Sequence, residues 1–455
     1  MPSGSRPDPD GPAAIRVLHV SHTSEGGGAE LALRRLLTTD RPGWHASICT
    51  AQPAATPHPD RPGGAAGNPS GVIGDPPGDI GGDDSQRTAG DRVSGVFAGL
   101  DRRGVPVDQV LPVLPGGGTR GLDPRLAARY LAALTRAARR LRRSPLFRAA
   151  DLLHANTAAA AIICALATPD RRHPLVVHLR DLVDGESLGR FGLLALRRIA
   201  LPRVDGVLAN SAATLRSAES WLGAEVPRAV VQSPLGVTHR TTRSRVGPTV
   251  RAIGMLGRLQ RWKGQHVFLD AFARSLADTG VPGYLAGAAL FGEEGYAAEL
   301  RAQATRLGIA DRVTFLGHVD DVAGFLDRID VLVHASTRPE PLGQTVLQGL
   351  AHGLPVVATE GGGPGEWLRS GENGLLVPAN DPAALGAALR TVVDSRELRE
   401  KLAAGAAGTA VQTDQDCVDR HAAFFDTVRR AHRSTGRAGT GLAGTGRVRS
   451  ARRAR

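Results

Sequence analysis

Residues 330–366, DVLVHASTRPEPLGQTVLQGLAHGLPVVATEGGGPGE, read as strand, loop, helix, strand and glycine-rich loop. Ile329 to His334 is a short apolar run without helical spacing, as expected of a strand buried on both faces of a parallel sheet. Val346, Leu347 and Leu350 then recur at helical spacing. Gly353 and Pro355 stop that helix before a second buried run, Pro355 to Ala358. This is one βαβ unit, and it puts the chain in the α/β class with parallel strands. Ligands of such sheets sit outside the carboxyl ends of the strands, where this unit places Glu340 in one loop and Gly361 to Gly365 in the next. Glu340, Gly362 and Gly363 are therefore site candidates.

Working outward, further strand-like runs occur at Ile15–Ser21, Val105–Val110, Asp151–Ala155, Leu175–Leu179, Val204–Ala209 and Ala229–Gln232, and again at Arg251–Leu256, Tyr284–Ala288 and Val313–Leu316. The first leads into SHTSEGGGAE and a helix carrying Leu31, Leu33, Leu36 and Leu37. A glycine loop there, with Gly27 and Gly28, lets backbone amides approach an anion. GGGAE is not G-x-G-x-x-G, so a nicotinamide fingerprint is not supported. The run Leu175–Leu179 closes in His178, Arg180 and Asp181, and the next ends in Asn210 and Ser211, a helix N-cap. Between the two sets of runs lies SPLGVTHRTTRSRVGP, residues 233–248, whose prolines, glycines and polar filler suit a hinge. Past it stands GRLQRWKGQ: Arg258 offers a planar fork to phosphate oxygens and Lys263 adds a point charge one short loop later, a pair suited to a pyrophosphate. Asp381 caps a helix starting at Pro382.

A chain of 455 residues exceeds a typical single domain, and two domains follow. Cys49, Cys164 and Cys417 are far apart, odd in number and without metal spacing, so they indicate neither a disulfide scaffold nor a zinc site, and a reducing cytoplasm fits. No run of about 18 apolar residues is present, and the amino terminus lacks the apolar core of a signal peptide, so a cytoplasmic protein is expected. The formal charge of +12 is carried almost wholly by arginine. One helix pairs an apolar stripe, Leu126, Tyr130, Leu134, Ala137 and Leu141, with seven arginines between Arg125 and Arg143 on its other faces. Such a face could rest on anionic lipid, at the inner side of a membrane, or be plainly solvated. The arginine clusters are not interleaved with aromatic residues, which argues against a nucleic-acid partner. Residues 1–14, an insertion at 51–91 and a basic tail at 431–455 are polar, rich in Gly and expected to be disordered.

The segment around Glu340 resembles the E-x7-E region of the retaining glycosyltransferases of family 4 (glycosyl transferases group 1), and Gly257, Arg258, Leu259, Lys263 and Gly264 match that family's Gly-Arg-Leu-x-x-x-Lys-Gly pattern at each fixed position. The second Glu of E-x7-E is Gln348 here, whose amide still donates to and accepts from a ribose hydroxyl but lacks the carboxylate's charge. The resemblance implies a GT-B fold: two Rossmann-like domains facing across a cleft, residues 15–234 for the acceptor and 235–430 for the nucleotide sugar, with a final helix packing back on the first. It implies that Glu340 and His178 position donor sugar and acceptor, and that Gly27, Gly28, Arg258, Lys263, Val319, Gln348, Gly362 and Gly363 hold the donor. No metal or other cofactor is expected, because Arg258 and Lys263 neutralise the leaving diphosphate. The implied reaction moves a sugar with retention from a nucleotide-diphosphate sugar to an acceptor sugar, glycolipid or small molecule, in cell-envelope glycan, glycolipid or secondary-metabolite biosynthesis. A sugar-nucleotide epimerase of the same architecture and a catalytically impaired binding relative are the alternatives.

Overall fold

The structure is a computed structural model that describes residues 14–40, 43–52, 93, 95–114, 124–238, 246–289 and 293–441. The expectations for 1–13, for most of the insertion at 51–91 and for the tail beyond 441 lie outside these residues. Two parallel sheets carry the fold. The first holds β1 (Ile15–Val20), β2 (Trp44–Ala51), β3 (Val107–Leu111), β4 (Leu152–Ala155), β5 (Leu175–Leu179), β6 (Gly206–Ala209) and β7 (Arg228–Val230), in the order β3-β2-β1-β4-β5-β6-β7. The second holds β8 (Ile253–Leu256), β9 (Gly283–Ala286), β10 (Val313–Gly317), β11 (Val331–His334), β12 (Val356–Thr359) and β13 (Leu375–Val377), in the order β10-β9-β8-β11-β12-β13. Each neighbouring pair is parallel. In both sheets the order reverses beside the first strand, leaving a crevice at the carboxyl ends.

The expected strands are present within a residue or two of their sequence boundaries, and two that the sequence reading did not separate out, β2 and β13, are added. WHASICTA, residues 44–51, mixes small and polar residues with apolar ones, and LLV at 375–377 is too short to stand out. Helices cover both faces of the first sheet. On one face the helix Ala158–Ala167 sets Ile162 and Ile163 in the core over β4 and β5, and the helix Pro124–Arg143 buries Leu134 and Leu141 as it packs on that helix and β3. Leu134, Ala137 and Leu141 of the arginine-rich helix's apolar stripe are thus spent inside the protein and Leu126 and Tyr130 are half-buried, while Arg125, Arg129, Arg136 and Arg139 are exposed. On the other face the final helix, Asp414–Gly441, lays Cys417, Val418, Phe425 and Val428 beside Ile15, Val17, Trp44 and Ile48, so the end of the chain completes the interior of the first half. This helix runs past residue 430, the expected limit of the ordered fold.

The polypeptide passes between the halves twice, and the two passages are stitched side by side. Gln232 and Gln412 exchange backbone-to-side-chain bonds at 3.2 and 3.1 Å, and the Asp414 carboxylate accepts the amides of Leu235 (2.7 Å) and Gly236 (3.1 Å).

Candidate functional site

The carboxyl ends of both sheets open on one cleft of about 820 Å³, within the usual range for a small-molecule site. From the second half it is lined by Arg258, Lys263, Val319, Glu340 and Gln348, and from the first by the Gly26–Gly28 loop, Glu30, Arg180 and Asp181. Local chemistry sets each wall. After β8 the chain turns at Gly257, then a short 3-10 turn, Arg261–Lys263, aims Lys263 back at the loop after β11. There Lys263 Nζ lies 2.7 Å from both Glu340 oxygens. Ser336 Oγ donates to Oε2 at 2.9 Å and His334 Nε2 stands 3.4 Å away. Burial by itself would push the Glu340 carboxyl up; the Lys263 ammonium and His334 more than offset this and hold it well below the usual carboxylate range. Glu340 is therefore a fixed anion, suited to orienting hydroxyls and unsuited to accepting a proton. Trp262 adds an aromatic floor, with Lys263 Nζ 4.1 Å and the Arg338 guanidinium 4.5 Å from its ring centre.

Gln348 explains why this position tolerates an amide. Its Nε2 donates to the Leu235 carbonyl at 2.8 Å, tying the helix Gln344–Ala351 to the passage between the halves. A glutamate could only accept, and would face that carbonyl without a proton to share.

Two expected donor-binding glycines do not line the cleft. Gly362 has φ 72°, and a Cβ there would stand 2.0 Å from the Glu340 carbonyl; one on Gly363 would meet the Leu342 carbonyl at 2.3 Å. Both instead press against the backbone of the Glu340 loop and fix its course. The following helix, Pro364–Trp367, is a single turn that starts with a proline, so it offers a phosphate little. Its Glu366 reaches the other half, accepting the amides of Ala212 (2.9 Å) and Ala213 at the start of the helix Ala212–Ala218. Beside it Ser211 caps that helix through Thr214 N (3.0 Å) and donates to the Pro341 carbonyl.

His178 also departs from expectation. It lies within β5, fully buried, and its ring faces His154 and the His421 ring of the final helix, away from the cleft. Burial and the Arg180 charge hold its pKa well below the ordinary value. The residues that emerge past the carboxyl end of β5 are Arg180 and Asp181. Arg180 is buried beneath the cleft floor, its Nε and Nη1 donating to Asn156 (2.8 Å) and Ser233 (2.8 Å). Asp181 lines the cleft between both halves. Enclosure raises its pKa, with Arg258 opposing and Glu340 adding to the rise. Glu30 lies deeper, on the first turn of the helix Gly28–Thr38, with its carboxylate folded against Gly27, where a Cβ would stand 2.5 Å from Oε2. Burial pushes its pKa to about 7, against the opposing pull of Arg180. Glu25, Glu30 and Asp181 thus line the cleft together with Glu340. Among the described residues, the grouping of three metal-capable side chains within bonding reach lies away from the cleft, at His154, His178 and His421.

Residues 243–408 match the family described as Glycosyl transferases group 1, and residues 87–237 match Glycosyltransferase Family 4. The lipopolysaccharide core biosynthesis glycosyltransferase LpsE of Rhizobium meliloti is 38% identical over 148 residues, which are 32% of this chain and 41% of that protein. The D-inositol 3-phosphate glycosyltransferase of Geodermatophilus obscurus is 34% identical over 277 residues, 56% of each chain. The chain spans about half the length of the curated relatives it matches. Among solved structures, Anabaena Alr3699/HepE in complex with UDP and glucose superposes with a TM-score of 0.66 at 24% identity, covering 90% of this chain and 99% of that one. With matches to both family descriptions running in turn along its two sheets, this chain belongs to the family 4, group 1 glycosyltransferases of GT-B fold.

Proposed function

We propose that the protein transfers a sugar, with retention of anomeric configuration, from a nucleotide-diphosphate sugar to an acceptor hydroxyl. The observation that carries this reading is the convergence of Arg258, Lys263 and Glu340 from one half on the same 820 Å³ cleft as Asp181 and the Gly27–Gly28 loop of the other. Departure of the diphosphate builds negative charge, which Arg258 and Lys263 are placed to neutralise without a metal. Glu340, held ionised, orients the sugar hydroxyls. Val319 and Gln348 line the same cleft, and this reading gives the base to Val319 and the ribose to the Gln348 amide. Because Lys263 starts in an ion pair with Glu340, donor binding re-divides that ammonium between carboxylate and phosphate. Asp181, on the acceptor wall, takes the positioning role that the sequence assigned to His178. It faces the donor-side ions across the gap and can accept the acceptor's hydroxyl proton as a hydrogen bond.

Relatives named for lipopolysaccharide core and inositol phosphate glycosylation favour a cell-envelope glycan, glycolipid or polyol acceptor, and a neighbour bound to UDP puts uridine donors first in a screen. The epimerase alternative finds no support among these names. The surface this reading offers to an anionic membrane is the exposed arginines of Pro124–Arg143, since Leu134, Ala137 and Leu141 of that helix face the interior. None of the described helices is long and apolar enough to cross a membrane.

The decisive experiment incubates the protein with a panel of nucleotide-diphosphate sugars and follows diphosphate release with and without sugar, polyol and glycolipid acceptors. Arg258→Ala combined with Lys263→Ala is expected to abolish release while leaving the circular dichroism spectrum unchanged. Undiminished turnover in that variant would defeat the reading.

A further inference from the structure

Beneath the first half's cleft wall, three histidines from three separate elements meet in a fully buried cluster: His154 on β4, His178 on β5 and His421 on the final helix. None of them lines the cleft, and the transfer chemistry uses none. Their ring centres form a near-equilateral triangle with sides of 5.6, 5.8 and 5.3 Å. The centre of such a triangle lies about 3.2 Å from each ring centre, the separation expected between an imidazole ring and a zinc ion it binds at about 2.0–2.1 Å. His421 Nε2 and His178 Nδ1 are 3.4 Å apart. That is long for a hydrogen bond and close to the edge, about 3.3 Å, of a tetrahedron of zinc-bound nitrogens.

The surroundings suit ligation. His421 Nδ1 donates to the Cys417 carbonyl at 2.6 Å, which leaves Nε2 with its lone pair. A hydrogen bond at 2.8 Å joins His154 Nδ1 to His19 Nδ1, fixing that ring and leaving Nε2 turned away from it. These are the outer contacts that orient metal-binding imidazoles. His154 Nε2 is a buried polar atom with no hydrogen-bond partner, a costly state for a fold to keep without a use.

We propose that His154, His178 and His421 bind a first-row transition ion, zinc in the first instance, which staples the end of the chain to the first sheet. One nitrogen from each residue already lies within 4.8 Å of the other two. Side-chain rotation of about 1.5 Å brings the widest pair to a metal-bound spacing. Imidazole nitrogens without a carboxylate suit zinc, copper or nickel and exclude magnesium and calcium, which take oxygen ligands. Since the cluster is closed to solvent, the ion enters as the final helix docks.

The test unfolds the full-length protein in denaturant and chelator, refolds it with or without Zn²⁺, and measures retained metal, melting temperature and the zinc X-ray absorption spectrum. Expected are about one zinc per chain, a melting temperature raised by several degrees, and backscattering from three imidazoles. His421→Asn is expected to lose the metal. Failure to retain zinc, a spectrum dominated by carboxylate or a single imidazole, or zinc kept by His421→Asn would each overturn the proposal. The spectrum is read on the unaltered chain, so a variant that fails to fold does not rescue or sink it.

Discussion

Two carboxyl groups give the cleft its pH behaviour. Glu30 has an ordinary pKa near 4.5 and is raised to about 7 in the folded protein by burial. A raised acid favours the fold while protonated, so its contribution is complete below about pH 4.5 and is lost as pH rises through 7. Replacing it should flatten that loss: Glu30→Gln is expected to match the parent near pH 4.5 and to exceed it at pH 8 by up to about 3 kcal/mol, read from urea midpoints across that range. Asp181→Asn is expected to lower transfer about 100-fold while nucleotide-diphosphate affinity, measured by calorimetry, stays nearly constant. Equal losses in both would move Asp181 to the donor side. The donor-side ions were readable from the sequence because Arg258, Lys263 and Glu340 sit in a fixed motif whose chemistry names its ligand. His178 was misplaced because it stands inside its strand, and the rule that ligands gather beyond strand ends already pointed to Arg180 and Asp181. Glu30 needed three dimensions, since nothing in GGGAE tells that its carboxylate folds back onto Gly27.

At the level of elements, the parallel runs were legible wherever both faces of a strand are buried, as in LVVHL or VLVH, because such strands are apolar throughout. β2 escaped because its alternating small and polar residues, WHASICTA, lack that density. Of the contacts between elements of different halves, the resemblance implied the return of the final helix onto the first half; the others escaped, and one of them matters for activity. Glu366 sits at the end of the glycine-rich loop and satisfies the first amides of the helix Ala212–Ala218, where a negative charge is also favoured by the helix dipole. Glu366→Ala is expected to weaken closure by about 1–2 kcal/mol. Small-angle scattering would register a larger radius of gyration, and the Michaelis constant for the donor would rise more than turnover falls. A variant with the parent's scattering profile would show that Glu366 merely caps its neighbour.

For the molecule as a whole, the paired passages and the returning helix make the two halves one cooperative body. The wild-type chain is expected to melt in a single calorimetric transition. Asp414→Ala, which strips the acceptor from the amides of Leu235 and Gly236, should separate it into two. The returning helix has a further consequence for how the protein is made. The ribosome emits the last piece of the first half's interior only after every other element has left the exit tunnel. The second half, contiguous in sequence, can assemble while the first still displays a greasy slab built from Ile15, Val17, Trp44 and Ile48. A premature stop codon anywhere upstream of Asp414 therefore yields a sticky nascent product, whichever active-site residues it retains.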